Sequence, residues 1–386
     1  MASFADYQIV MIDITTGALL DIIPQDRWNI LTYNRKLNDV AKLEFTVPLS
    51  DNSAQYRDLD TIIEVYRRPQ NSQSMQREQS YLLRYSSIYY DEDTETEYIT
   101  RGAVSPEDLL KRRIIVPADD PNNAGGYISY QDDAGTIMNT FASRMMSTPA
   151  VNADRIFPNM FFIADPYTGN VIFQRRAWEN LFDVMTDCSV RGDIDFELYR
   201  FLDNSFSQAP RFVFWPHRVG TDKSQTTNYP GASYILFTPN RANLRQPVLT
   251  LNRYDEKNAV WVLGQGTEGA REVLPVDGNT TGDSPYNRIE ATTDARDVSY
   301  GVTDGFLTAG NAFLQENEPM ITFDFVPDLD APQGQYRVDW DLGDIVTAAY
   351  QGYSADFRIM EVAVSLTDDN ETVTVNLLKK SQFEGA

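Results

Sequence analysis

The chain has 386 residues, 42% of them hydrophobic and 12% aromatic, which supports packed cores and excludes wholesale disorder. Its 56 acids against 33 bases leave a net charge of −23, so nucleic acid phosphates and anionic membranes are disfavoured as stable partners. No stretch approaches the roughly 18 apolar residues that cross a bilayer. The N-terminal residues lack the basic region of a secretory signal. A chain of this length is expected to divide into roughly two to four domains.

The acids are mostly Asp, 38 against 18 Glu, and the bases mostly Arg, 26 against 7 Lys. This balance resembles that of proteins from salt-loving microbes and their viruses; an ordinary acidic protein is the other reading. On the first, stability rises with salt, because counterions screen the self-repulsion.

Strand signals open the chain. In Ala41–Val47 the residues Leu43, Phe45 and Val47 alternate with Lys42, Glu44 and Thr46, the period of a half-buried antiparallel strand. Asn38-Asp39 supplies a turn before it and Pro48 a stop after it. Asp60–Tyr66 reads as a further strand, followed by a polar loop, Arg67–Ser80, and then by Ser87–Ile99, an apolar strand whose acidic turn leads into a return strand.

The middle is mixed. Asp133–Met146 puts Ile137, Met138, Phe141 and Met145 on one helical stripe, and Trp178–Met185 does so with Trp178, Leu181, Phe182 and Met185. The single cysteine, Cys188, continues that apolar register; it reads as a buried structural thiol and rules out an internal disulfide. Phe212–Trp215 and Tyr234–Phe237 are strand-like. A third helix is predicted over Phe306–Asn317, before Pro319. At the end, Met360–Leu366 and Glu371–Leu377 alternate, the second with Val373, Val375 and Leu377, and Thr367–Asn370 makes the hairpin turn.

Breaks at Pro117–Gly126 and Asn240–Pro247 divide the chain into residues 1–118, 119–250 and 251–386. The outer thirds echo each other. Asp60–Tyr66 matches Asp344–Tyr350 in length and end residues, and each is followed by a loop, an apolar strand and an acidic turn into Glu-Thr. The first copy ends in Ser87–Ile99, the second in Ala363–Val375. This suggests a duplicated β-module.

Chemistry is harder to find. Gly264-Gln-Gly266-Thr-Glu-Gly269 matches the GxGxxG spacing after the strand-like Asn258–Leu263, but Pro275, Gly278, Gly282 and Pro285 leave no room for the helix that would hold a pyrophosphate. A glycine-rich hairpin is expected there. The one histidine, His217, falls in a predicted loop with no nucleophile motif nearby, and no Cys-His cluster is available for zinc. Asp91–Glu95 begins like a calcium loop, yet Thr96 stands where glycine is needed and Gly102 where the bidentate Glu belongs. The carboxylate pairs Asp193/Asp195 and Glu316/Glu318 are the remaining candidates for an acidic carbohydrate-active enzyme. No catalytic, cofactor-binding or metal-binding residue emerges, and no hydrolase activity is expected.

Several segments in order carry a resemblance: Asn38–Pro48, Ile63–Arg67, Leu109–Ile115, Asn258–Gly266, Asn287–Asp297 and Trp340–Thr347. Together they resemble the tail-hub family of long-tailed viruses, the baseplate-hub or N-terminal tail-associated-lysin-like proteins. The resemblance implies a β-rich α+β fold in which two related antiparallel β-barrel modules, of the tail-tube type, flank a mixed α/β middle. It implies a structural virion protein, a homotrimer at the distal tail tip assembled in the host cytoplasm, adapting a sixfold tail tube to a threefold tip around the genome exit channel. The implied partners are a tail-tube or distal-tail ring protein, a tape-measure protein, and tip, fibre or spike proteins. Longer members carry a C-terminal wall-degrading domain; this chain stops at Phe383–Ala386, so lytic activity is expected of a partner. A receptor-binding tail protein is a further reading.

Overall fold

The computed structural model describes residues 6–69, 74–163, 168–201, 209–225, 234–278, 286–296, 298, 301, 303–367 and 370–379. The first third contains β1 (Asp6–Ile12), β2 (Leu19–Pro24), β3 (Ile30–Lys36), β4 (Lys42–Pro48), β5 (Ile62–Arg68), β6 (Gln76–Asp91), β7 (Thr96–Val104) and a short helix α1 (Asp108–Lys111). The middle contains β8 (Asn123–Ala124), β9 (Tyr127–Asp133), α2 (Ala134–Met146), β10 (Met160–Phe162), β11 (Val171–Arg176), α3 (Leu181–Gly192), β12 (Asp195–Arg200), β13 (Phe212–His217) and β14 (Leu236–Phe237). Then come β15 (Leu244–Asn252), β16 (Ala259–Leu263), β17 (Val273–Asp277), β18 (Glu290–Asp294), α4 (Thr303–Glu316), β19 (Met320–Pro327), β20 (Ile345–Tyr350), β21 (Tyr353–Thr367) and β22 (Asn370–Lys379).

Alternation decides the strands. Leu43, Phe45 and Val47 of β4 and Val373, Val375 and Leu377 of β22 all turn into one core, as their period of two requires. That core belongs to a single sheet of 13 strands, in the order β15-β19-β22-β21-β3-β4-β7-β6-β5-β1-β2, with β20 paired to β21 and β14 to β20. The two expected β-barrel modules do not close as separate barrels among the described residues. The sheet is open at β15 and β2, because β21 is long enough to serve two neighbours. Its first half pairs with β20 and its second half with β3 of the first third, from Glu361 opposite Lys36 to Thr367 opposite Ile30. The strand edge that could have closed one module instead joins the two.

The duplication is nonetheless written into the ladder. The order β3-β4-β7-β6-β5 in the first third is matched by β15-β19-β22-β21-β20 in the last. A β-bulge lies between Leu83 and Tyr85 where β6 meets β7, and another between Ile359 and Glu361 where β21 meets β22. Each bulge sits just past the end of the pairing with β5 or β20. The sheet also coils back on itself: Tyr7 of β1 donates its hydroxyl to Glu371 of β22 at 2.6 Å, although many strands separate them in the ladder.

A second core packs the first third against the middle, where Ile137, Met138, Phe141 and Met145 form the expected stripe of α2. Asp133 caps that helix, accepting the Thr136 N–H at 2.7 Å. Helix α3 starts later than its periodicity suggests. Asn180 caps it, accepting from Phe182 N–H at 2.9 Å, and Trp178 lies outside it with φ +62°, exposed. Leu181, Phe182 and Met185 are buried, as is Cys188, whose thiol burial pushes up to about 12. The third core is small: α4 covers one face of the three-stranded sheet β17-β16-β18. Here β16 and β17 form the glycine-rich hairpin, Leu263 opposite Val273, and a Cβ on Gly264 would lie 2.3 Å from Phe306 of α4.

Candidate functional site

The 13-stranded sheet presents two different sides where the halves join. On its inner side, side chains from both halves form a buried polar network. Arg67 Nε donates to the Tyr7 hydroxyl at 2.8 Å and to Glu371 at 2.9 Å. Arg35 donates to the Tyr336 hydroxyl at 3.0 Å and to Asp341 at 2.6 Å, and Tyr336 donates to Glu78 at 2.7 Å. Arg337 closes the group on Asp341 at 2.6 Å. Burial pushes the Asp341 carboxyl up, but Arg35 and Arg337 outweigh it and hold the group below its usual range. Removing one member of such a network strands a buried charge, which costs about 3–5 kcal/mol.

Two further clusters lock the middle onto this frame. Glu64 of β5 accepts from Arg77 of β6 at 3.0 Å and from Arg200 of β12 at 2.9 Å. Asp195, buried at the start of β12, accepts from Asn38 Nδ2 at 2.9 Å, from the Val219 N–H at 2.9 Å and from Arg358 of β21. One carboxylate therefore ties together all three parts of the chain. The relative placement of the parts is fixed by charge pairs that are costly to separate.

The outer side of the same seam is a concave groove of about 530 Å³. Its polar lining is mostly small and uncharged: Thr32, Asn34, Ser365, Thr372 and Thr374. Lys42, Arg84 and Glu44 are the charges on it. On a chain of net charge −23 this face is close to neutral. The groove runs over β22, β21, β3, β4, β7 and β6, the strands that the duplication relates.

Two strand edges of this sheet stand open among the described residues. The second half of β21 is covered by β3, but the corresponding half of β6, beyond its pairing with β5, is bonded only to β7 among the described residues. It exposes Tyr85, Ile88, Tyr89 and Tyr90, at 56, 47, 44 and 57%. The counterpart of β3 is β15, whose outer edge pairs with no strand among the described residues, with Val248 and Leu251 exposed. Exposed apolar edges of this kind are templates for another strand.

The motifs considered for chemistry take structural places. Asp193 ends α3 in the left-handed region at φ +48° and accepts from Arg218 at 3.0 Å, while Asp195 is the buried tie already described. Glu316 and Glu318 lie exposed at the end of α4. Asp91–Glu95 forms the exposed β6–β7 turn, with Asp91 opposite Thr96. His217 is on a strand rather than in a loop, paired with Asp195 across β12–β13, because the run from Phe212 continues through Pro216. Its ring stacks on Trp215 at 3.7 Å and its Nε2 lies 3.3 Å from Glu197. None of these arrangements brings a nucleophile beside a base.

One buried acid is unpaired by any cation among the described residues. Glu107 accepts from the Leu198 N–H at 3.2 Å, and burial pushes its carboxyl up to about 7. The neutral form is the one the fold prefers. Its contribution is fully present below the ordinary carboxyl pKa and is lost as pH rises through about 7, a swing of about 3 kcal/mol. Glu107→Gln is therefore expected to stabilise the chain at pH 8 and to change it little at pH 4. Denaturant melts at the two pH values measure this; an equal effect at both refutes it.

The family model for the siphovirus ReqiPepy6 Gp37-like protein matches residues 15–377. No curated protein matches the chain. Among solved structures, a tail protein from Neisseria meningitidis MC58 superposes with a TM-score of 0.59 at 11% identity, over 99% of this chain and 98% of that one. The 43 kDa tail protein of prophage MuSo2 from Shewanella oneidensis gives 0.60 at 12% identity, over 97% and 99%. Prophage tail protein gp18 from Listeria monocytogenes EGD-e gives 0.54 at 12% identity, over 97% and 95%. At such identities the likeness is one of fold, and it runs from end to end. The chain belongs to the siphovirus ReqiPepy6 Gp37-like family and has the fold of prophage tail proteins.

Proposed function

We propose that this chain is a structural tail protein that assembles as a homotrimeric hub at the distal end of a viral tail, around the genome exit channel. The observation that carries the reading is the mismatch between a duplicated ladder and its single internal junction. β3 covers β21 within the chain, whereas the equivalent pair, β15 and β6, is left apart, with both edges open among the described residues. Pairing β15 of one protomer with β6 of the next repeats the same junction between chains. Each chain then contributes eight strands, β15-β19-β22-β21-β3-β4-β7-β6, to a closed ring.

Three chains give six similar modules, which is what a threefold part needs to meet a sixfold tube. The groove would then face the lumen. Its small neutral side chains suit a polymer that must pass without sticking. The natural partners are a tube or distal ring protein on one side, a tape-measure protein in the lumen, and tip, fibre or spike proteins on the other.

The solution mass tests this directly: three times the 43.9 kDa chain is expected, and a stable monomer or dimer at micromolar concentration overturns it. DNA retention is a second check. With two bases against one acid on the groove, too few phosphate contacts are available for tight binding. The assembled protein is expected to show no DNA shift at physiological salt; micromolar binding with a steep salt dependence contradicts a sliding channel.

A further inference from the structure

Among the described residues the small sheet β17-β16-β18 is covered by α4 on one face only, and its other face carries an unusual arrangement. Register places Ala259 between Asp277 and Glu290, Trp261 between Pro275 and Thr292, and Leu263 between Val273 and Asp294. At one end Arg288 reaches across the sheet, bonding Asp277 at 2.9 Å and Glu290 at 2.8 Å above the buried Ala259. At the other, Arg271 pairs with Asp294 at 2.9 Å, and Arg296 pairs with the same carboxylate at 3.3 Å. Between these two straps the Trp261 indole stands 39% exposed, beside Pro275 and Thr292.

We propose that this face binds a neutral saccharide, with the Trp261 indole as the stacking platform and the two arginine–carboxylate straps as hydroxyl-binding walls. The dimensions limit the occupant. Three strands and five residues span about 10 Å by 13 Å. A stable protein partner needs about 800 Å² of each surface, several times this patch, whereas one or two pyranose rings fill it. Charge narrows the choice further. Three arginines, Arg271, Arg288 and Arg296, balance three carboxylates, Asp277, Glu290 and Asp294, so neither an anion nor a cation is favoured.

The chemistry suits a sugar. The electron-rich face of an indole attracts the weakly positive C–H face of a pyranose ring. Arg271 also donates to the Gly264 and Leu263 carbonyls at 2.9 and 3.0 Å, and Asp294 also accepts the Arg296 N–H at 3.0 Å. Five N–H donors per guanidinium and four lone-pair positions per carboxylate still leave unused capacity on both straps, most of it at Arg288, so vicinal hydroxyls find both kinds of partner. The platform is independent of the ring-forming edges, and its binding does not depend on the hub assignment.

Saturation-transfer NMR on the full chain tests the proposal, with maltotriose, cellotriose and N,N′,N″-triacetylchitotriose offered separately at millimolar concentration. Transfer to the ring protons of at least one is expected, lost in Trp261→Ala and kept in Trp178→Ala, another exposed tryptophan far from this sheet in sequence. Trp261→Phe, which keeps an aromatic face, is expected to retain part of the signal and shows that the loss is not one of folding. Absence of transfer from all three sugars overturns the proposal. So does transfer that survives Trp261→Ala, or a Trp261→Ala variant that loses its assembled mass while the native protein shows no sugar signal, which would make this face a contact between copies.

Discussion

Val375→Asp is expected to yield no folded chain. Val375 lies fully buried in β22, opposite Val362 on one side and Phe325 on the other, in the core shared by both halves of the sheet. The substitution removes a well-packed side chain and places a carboxylate directly between Val362 and Phe325, with no ion-pair partner built for it. The cost of burying an unpaired charge, even after the carboxyl takes up a proton, exceeds about 3 kcal/mol once the lost packing is added. Against a total stability of about 5–15 kcal/mol this is enough to empty the native state, and the nascent chain should be recovered as aggregate. The neighbouring Thr374 points the other way, onto the exposed groove. Thr374→Asp is expected to fold with a melting temperature close to the parent's. Soluble yield and circular dichroism of the two variants separate the cases; a Val375→Asp protein that melts like the parent would falsify the assigned core.

The contrast between residues 374 and 375 was legible in the sequence, because a strand with one wet face must alternate. So was the repeat: the Asp-to-Tyr strands, the apolar strands after them and the acidic turns recur in the same order, and the ladder preserves that order. What the sequence did not disclose is which edge meets which. Alternation states which side of a strand is buried but is silent on its neighbour, and so the junction of β3 with β21, some 330 residues apart, replaced the expected closed barrels. The ion-pair network escaped for the same reason. Arg67 and Glu371 are separated by 304 positions and carry no local signal, yet they meet at 2.8 Å. Trp178 misled in a simpler way: its spacing fits the stripe of α3, but Asn180 is the better cap, and the helix begins after it.

Charging the open edges is expected to dissolve the assembly while leaving the protomer intact. Ile88 on β6 and Val248 on β15 are exposed in the isolated chain, so Ile88→Asp and Val248→Asp disturb no core. In a ring where β15 of one chain pairs with β6 of the next, each new carboxylate would lie at a strand junction, opposite or beside an apolar side chain. Desolvating it there costs several times the thermal energy at each of the three junctions. The mass should fall from three chains to one, with the denaturation midpoint of the dilute protomer unchanged. Cysteine pairs give the positive counterpart. The only native thiol, Cys188, is buried and takes no part, so a cysteine placed in Ser86–Tyr90 and another in Leu249–Asn252 can link chains covalently only by meeting across a junction. A disulfide needs Cα atoms about 4.4–6.8 Å apart, which adjacent strands provide at the right register. Scanning the two segments should give one register that yields a closed covalent trimer on a non-reducing gel. A trimer that persists in both Asp variants, with no pair of positions forming a bond, would leave the oligomer standing but place its interface elsewhere. A ring built on this junction predicts the opposite on both counts.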